Sequence, residues 1–309
     1  MFQNALHLFT IAWLSSQVFA TFFVPLNGNI ACNSRPTKAK YIKIVSPKDI
    51  QERCTYTVQK HNSQTCQLLV KFVEFNSPQP VTTRGGDGSP SKTCTEFLDI
   101  NGMVICGNNS GQHLYIPMDS SNEVSFQFHG VRHSSWNLQV TQLECPSTLF
   151  RLPSSDSHLI APTNCNQYFS DSRGRIESFN FNGGSGVYPS NLNYAICIKR
   201  PSTKSTLQLN LNKFSLGGAL NSDDVNEVFD DVCKPMIQSS GLSSDYLMLP
   251  PGMVIVSHPQ INANFFCGDH INGLTVIGDP IGPITIIFNS DNFFESDKEI
   301  GFQIDYSFV

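Results

Sequence analysis

Residues 173–200 read RGRIESFNFNGGSGVYPSNLNYAICIKR, and this stretch contains the pattern on which the fold prediction rests. Short apolar stretches alternate here with Gly, Pro, Asn and Ser, the residues that form turns. The rest of the chain is similar, because it is rich in Ser, Asn, Phe, Val and Ile and poor in Ala, Glu and Lys. Such a composition favours strands and turns over helices. We therefore predict an all-β protein.

The length and charge of the chain limit the classes of function. It has 309 residues, which is enough for two domains of ordinary size. Charged residues make up only 15% of the chain and the formal net charge is −5. Such a balance offers no basic surface for phosphate contacts, so we do not expect nucleic acid as a partner.

The N-terminal stretch MFQNALHLFTIAWLSSQVFA (1–20) is typical of a signal peptide. An apolar run from about Ala5 to Leu14 is followed by small and polar residues that end in an A-x-A-like cleavage site at Ala20. The run is shorter than the roughly 20 apolar residues of a membrane span, and no later segment is apolar enough to span. We predict cleavage after residue 20, an N-terminal segment over 21–31, and a soluble protein secreted to the extracellular space.

The chain contains an internal repeat on either side of a Pro- and Ser-rich linker, residues 146–164. Five segments correspond in the same order. They are CQLLVKFVEF (66–75) with LQLNLNKFSL (207–216), EFLDI (96–100) with DYLML (245–249), VICG (104–107) with FFCG (265–268), VSFQFHG (124–130) with ITIIFNS (284–290), and SWNLQVTQL (135–143) with GFQIDYSFV (301–309). We therefore predict one domain over 32–145 and a second over 165–309.

Ten cysteines in an oxidising compartment predict five disulfides. The repeat suggests their pairing, because four cysteines are shared by both copies and two occur only in the first. Cys66 faces Leu207 of the second copy, and Cys145 falls just beyond the point where that copy ends. The two are absent together, as expected if they bond to each other. The remaining predicted pairs are Cys32–Cys54, Cys94–Cys106, Cys165–Cys197 and Cys233–Cys267.

Several of these stretches resemble the CUB domain. Residues 173–200 are similar to its opening, and IIFNSDNFFESDKEIGFQIDY (286–306) is similar to its end. YIKIVSPKDIQERCTYTV (41–58) is a shorter form of the opening in the first copy. Together with CGNNSGQHLY (106–115), these motifs resemble secreted two-CUB proteins of insects over about 30–309. The resemblance implies two jelly-roll-type β-sandwiches, each of two antiparallel sheets.

The stretch CGNNSGQHLYI (106–116) raises the question of catalysis, because it places Cys106, Ser110 and His113 close together. Cys106 has a predicted disulfide partner, and no carboxylate in the motif accompanies His113. Ser110 completes the sequon Asn108-Asn109-Ser110, which predicts N-glycosylation of Asn108. We predict that the protein is not an enzyme.

The CUB resemblance also implies a Ca²⁺ site at one end of the second domain. Asp291 matches one ligand position and Asp245 matches another, and carboxylates from several loops suit Ca²⁺. Gly217 stands where the family has a Glu. Residues that could replace that Glu are Asp223, Asp224, Glu227, Asp230 and Asp231. The competing interpretation is an acidic solvated loop and two unrelated aspartates. We expect no Ca²⁺ in the first domain.

These features predict a secreted protein that binds extracellular proteins or glycans through loops on a rigid frame. Phe293 and Phe294 are candidate anchors for a partner, with simple burial as the alternative. A regulatory or scaffolding subunit that acts in trans on a secreted protease system is the second hypothesis. A hydrolase with an unrecognised site is the third.

Overall fold

The computed structural model describes residues 28–49, 52–86, 88–118, 121–146, 155–201, 206–217, 233, 245–257, 263–294 and 297–309. Within these ranges nearly all regular structure is β-strand, and the one helical element is a 3-10 turn at Asn182–Gly184. The prediction of an all-β protein is confirmed. The predicted signal peptide lies outside the described residues.

Two sheets and a separate hairpin are built from the first half of the chain. Its strands are β1 (Asn29–Ile30), β2 (Tyr41–Val45), β3 (Arg53–Gln59), β4 (Thr65–Asn76), β5 (Val81–Arg84), β6 (Pro90–Thr93), β7 (Phe97–Ile100), β8 (Met103–Ile105), β9 (His113–Pro117), β10 (Glu123–His129) and β11 (Ser135–Glu144). One sheet has the order β1-β2-β11-β4-β9 and the other has the order β3-β10-β7-β8. The hairpin is formed by β5 and β6.

Two further sheets are built from the second half. Its strands are β12 (Gln167–Phe169), β13 (Arg173–Glu177), β14 (Asn193–Ile198), β15 (Leu207–Ser215), β16 (Tyr246–Met248), β17 (Met253–Ile255), β18 (Phe265–Phe266), β19 (Thr275–Gly278), β20 (Ile284–Asn289) and β21 (Gly301–Phe308). Their orders are β12-β14-β20-β16-β18 and β13-β21-β15-β19-β17. Pairing is antiparallel except for the short strands β1 and β12, which pair in parallel with β2 and β14.

Segments that correspond in sequence take equivalent places in these sheets. The order β3-β10-β7-β8 in the first half parallels β14-β20-β16-β18 in the second, and β2-β11-β4-β9 parallels β13-β21-β15-β19. The β4–β11 and β15–β21 pairs also share a register irregularity, near Leu138 and Leu211. Bulges of this kind bend and twist a strand pair locally.

Alternation along the strands produces the core. In β10, Val124, Phe126 and Phe128 point inward and are fully buried, while the residues between them are more exposed. Phe128 stacks on Trp136 of the facing sheet, with ring centroids 4.0 Å apart. Burying one such side chain contributes about 1.5–3 kcal/mol. The two sheets of the first half are therefore held face to face by apolar and aromatic contacts.

Five disulfides are present, and their pairs are those expected from the repeat. They are Cys32–Cys54, Cys66–Cys145, Cys94–Cys106, Cys165–Cys197 and Cys233–Cys267. Cys66–Cys145 joins β4 to the residue after β11 and thereby ties the start of one central strand to the end of its neighbour.

The described part of the predicted linker packs onto the first half. Asp156 is buried, and its Oδ2 lies 2.9 Å from Lys40 Nζ. The amide of Gln67 donates to Ala161 O at 2.8 Å and accepts from Ala161 N–H at 3.1 Å. Tyr115 donates its hydroxyl to Leu159 O at 3.0 Å. This segment is therefore held by one ion pair and by hydrogen bonds.

Candidate functional site

The residues first considered as catalytic have other partners. Cys106 is bonded to Cys94. The Ser110 hydroxyl accepts a hydrogen bond from Phe75 N–H at 3.1 Å. His113 Nε2 accepts one from Tyr168 N–H at 3.0 Å, and burial lowers the pKa of His113 from 6.5 to about 4. The three side chains therefore do not form a nucleophile and base pair.

The same stretch contacts the second half of the chain. We use the term seam for the surface where residues 106–115 and Gln79 meet residues 166–182. At its centre Asn180 is fully buried and adopts a left-handed backbone with φ 60°. Asn180 Oδ1 accepts from Asn108 N–H at 2.9 Å, and Asn180 N–H donates to Asn109 Oδ1 at 2.7 Å. The amides of Asn180 and Gln79 bond reciprocally, at 2.8 and 3.1 Å.

Gly107 allows this close approach. Its φ is +78°, and a Cβ added there would lie 1.9 Å from Asn180 Oδ1. Any larger residue would therefore both strain the backbone and displace the Asn180 side chain. The Gly of the CG motif is needed for the fit between the two halves.

The Gly-Gln-His part of the motif extends the seam. Gln112 Oε1 accepts from Gln167 Nε2 at 2.8 Å, and Gln112 Nε2 donates to Glu177 O at 3.3 Å. Tyr115 N–H donates to Asn166 O at 2.7 Å. Sequence reasoning found this motif but did not recognise its role, since its partners lie more than fifty residues away.

The β5–β6 hairpin makes a second contact between the halves. Lys92 is buried and exchanges two hydrogen bonds with Ser190: its N–H donates to Ser190 Oγ at 2.9 Å, and its carbonyl accepts from Ser190 N–H at 3.0 Å. Lys92 Nζ lies 3.3 Å from Asp297 Oδ1 and 4.0 Å from the centre of the Phe294 ring. The hairpin therefore lies over the loop in which we predicted a binding site.

Within that loop, the predicted anchors differ in exposure. Phe294 is 7% exposed, and its N–H donates to Pro90 O at 2.8 Å. Phe294 is therefore a buried residue, as in the alternative interpretation, and not an exposed anchor. Phe293 is half-buried, and its N–H donates to Asp291 Oδ1 at 2.7 Å.

The predicted metal ligands Asp245 and Asp291 lie together. Asp245 is buried; its Oδ1 accepts from Asp291 N–H at 2.7 Å and its Oδ2 from the Tyr188 hydroxyl at 2.6 Å. Burial, followed by the charges of Asp245 and Glu299, raises the pKa of Tyr188 well above its usual value of 10.0. Gly217, at the place of the missing Glu, donates its N–H to the Tyr188 hydroxyl at 2.9 Å. Asp245 therefore acts as an acceptor that organises neighbouring loops.

The predicted Ca²⁺ site stays a prediction. Among the ranges that the structure describes, no three His, Cys, Asp or Glu side chains are placed to hold one ion. The acidic residues proposed as substitutes, over 223–231, lie outside the described residues. We therefore derive no chemistry from Ca²⁺ here.

Asn108, the predicted glycosylation site, lies at the edge of the seam. It is partly exposed, and its Nδ2 donates to Asn182 Oδ1 at 3.1 Å. Its Oδ1 accepts from Ser110 N–H at 3.1 Å. A glycan on this nitrogen would leave from the line where the two halves meet.

Comparison with known proteins finds one matching family model and several similar solved structures. Residues 162–309 match the family model described as "Animal CUB domain". The CUB1-EGF-CUB2 domains of rat MASP-1 align with 14% identity over 88% of this chain and 99% of that chain, with a TM-score of 0.29. The corresponding human MASP-1/3 fragment gives 12% identity, 88% and 100% coverage and the same TM-score. The extracellular region of zebrafish Gpr126/Adgrg6 gives 9% identity, 90% and 36% coverage, and 0.27.

The comparison with curated protein sequences yields no match. In the part of the chain that the structure describes, no helix has the length and apolar character to cross a membrane. The second half of this chain is thus similar in sequence to the animal CUB domain, a module that commonly mediates protein–protein interactions, and its two five-stranded sheets form an all-β sandwich of the CUB type.

Proposed function

We propose that the chain is a secreted, non-catalytic binding protein of two CUB domains that recognises extracellular proteins or glycans. The match of residues 162–309 to the animal CUB domain is the observation that carries this proposal. The equivalent strand orders of the two halves support a first domain over 32–145 and a second over 165–309. In this proposal residues 1–20 are removed on secretion.

A binding role is supported by the rigidity of the frame. Five disulfides, the seam and the β5–β6 contact cross-link the parts of both halves that the structure describes. Binding loops on a rigid scaffold lose little conformational freedom when a partner docks. The absence of a nucleophile and base pair among Cys106, Ser110 and His113 is consistent with binding without catalysis.

Capture from extracellular fluid tests this function. The full chain, with its disulfides intact, is immobilised beside a reduced and alkylated control, and the fluid is applied with and without prior glycosidase treatment. We expect partners on the native chain alone. Loss of a partner after glycosidase treatment indicates glycan recognition, and retention indicates protein recognition. Equal capture on both surfaces would contradict the proposal.

Two further measurements separate the alternatives. A serine protease among the captured partners would favour the regulatory role in a protease system. A fluorophosphonate probe should leave the purified chain unlabelled, whereas stoichiometric labelling of a serine would indicate a hydrolase. Secretion itself is tested by N-terminal sequencing of protein from the medium of expressing animal cells, which should begin at Thr21.

A further inference from the structure

Ile281 is the most exposed large apolar residue in the described part of the chain. Its side chain is 96% exposed, while the next such residue, Val309, is 57% exposed. Isolated apolar residues on a surface are ordinary, but they matter when they adjoin other apolar surface. Whether Ile281 belongs to a binding surface therefore depends on the residues around it.

The backbone of the loop that carries Ile281 is restrained by its sequence and by Arg200. It spans 279–283 between β19 and β20 and reads DPIGP, so two prolines limit its backbone freedom. The Arg200 guanidinium donates to both Pro280 O and Gly282 O, the second at 3.1 Å, and so braces the loop on either side of Ile281. A loop whose backbone is already braced loses less conformational freedom on binding than an unbraced one.

An apolar depression begins beside this loop. Its volume is about 520 Å³, within the range of ordinary ligand pockets, and Gly282 and Pro283 form part of its wall. Tyr168, Ile198 and Ile287 are among the other residues that line it. A projecting isoleucine and a depression able to receive one therefore occupy the same face of the molecule.

Two opposite charges accompany the projection and the depression. Asp279 is exposed at the start of the loop, and Lys199 is exposed on the rim of the depression. In a two-fold symmetric dimer, each surface meets the same surface of the other copy. Such a pairing would bring Asp279 of each copy towards Lys199 of the other.

We propose that a second copy of this chain binds at this face, with Ile281 of each copy inserted into the depression of the other. The projection of one copy matches the depression of the other, and Asp279 of one copy matches Lys199 of the other. A two-fold interface requires this kind of self-complementary surface. This inference goes beyond the proposed function and does not depend on it, because self-association can occur with or without a further partner.

Sedimentation velocity of the full chain tests this proposal between about 1 µM and about 1 mM. We expect a reversible monomer–dimer equilibrium. Ile281→Asp places a charge in the apolar contact and should raise the dissociation constant at least about tenfold. Val73→Asp is the matched control. Val73 is also a β-branched apolar residue on the surface, 49% exposed, but it lies in the first half of the chain. It should leave the equilibrium unchanged.

A charge exchange tests the geometry. Lys199→Glu and Asp279→Lys should each weaken the dimer, and the double variant should restore it. A monomer at every concentration would overturn the proposal, as would equal self-association of the wild type and Ile281→Asp. Failure of the double variant to recover, with both single variants weakened, would overturn the two-fold arrangement. Circular dichroism of each variant checks that the fold is retained.

Discussion

Replacing Gly107 by Ala tests the seam most directly. Its positive φ suits glycine, and an alanine Cβ would lie 1.9 Å from Asn180 Oδ1. The left-handed backbone costs a residue with a Cβ roughly 1–2 kcal/mol. The clash also forces Asn180 away from its partners, and each hydrogen bond lost contributes about 0.5–1.5 kcal/mol. With the one bond to Asn108 and the two bonds to Gln79 broken, we expect a total loss of roughly 2.5–6.5 kcal/mol.

Gly111→Ala is the matched control within the same motif. Gly111 has a φ of +87°, but an added Cβ there would have no heavy atom within 4 Å. This variant therefore carries the backbone strain without the clash and should lose only roughly 1–2 kcal/mol. The difference between the two variants isolates the contact across the seam.

Urea denaturation with the disulfides intact measures both variants, and calorimetry shows whether the two halves still unfold together. Asn180→Gly removes the clashing side chain and tolerates the positive φ of that position. In the Gly107→Ala background it should cost less than the sum of the two single changes. If Gly107→Ala were no more destabilising than Gly111→Ala, the close packing of the seam would be refuted.

Three other features yield predictions. The pKa of His113 falls from 6.5 to about 4 in the folded chain. The free energy of unfolding should therefore retain the full contribution of neutral His113 above pH 6.5 and should fall by on the order of 3 kcal/mol as the pH is lowered towards 4. His113→Gln should flatten this part of the curve of stability against pH. Asp245→Asn weakens the bonds from Tyr188 and Asp291 and should lower the free energy of unfolding by about 1.5–3 kcal/mol. A melting temperature of the wild type that is equal in chelator and in Ca²⁺ would exclude a Ca²⁺ site at Asp245 and Asp291. Peptide N-glycosidase should lower the mass of the secreted wild type but not that of Asn108→Gln.

The fold could be predicted from the sequence because its signals are local and repeated. Alternation along β10 indicates a half-buried strand without knowledge of its neighbours, and the same pattern recurs in β20. The pairing of Cys66 with Cys145 followed from their joint absence in the second copy, which is a comparison within one chain. Both inferences need only the order of residues.

The seam could not be predicted because it depends on how two folded halves meet. Asn180 and Asn109 are 71 residues apart, and nothing in the periodicity of either segment indicates that they touch. The Gly-Gln-His stretch has the local composition of a turn, and such a composition does not indicate distant partners. Lys92 was overlooked for the same reason, since one lysine on a polar hairpin usually faces solvent.

The position of Phe293 and Phe294 changes how a partner-binding loop must be tested. Phe294 is buried under Lys92, so Phe294→Ala should lower the free energy of unfolding by roughly 3–5 kcal/mol, the usual range for a buried phenylalanine. Phe293→Ala should cost less than about 1.5 kcal/mol, because its side chain is only half-buried. A double variant would therefore confuse loss of folding with loss of binding. Capture by the Phe293→Ala variant alone, with its melting temperature matched to wild type, isolates the loop; full recovery of every partner would exclude Phe293 as an anchor.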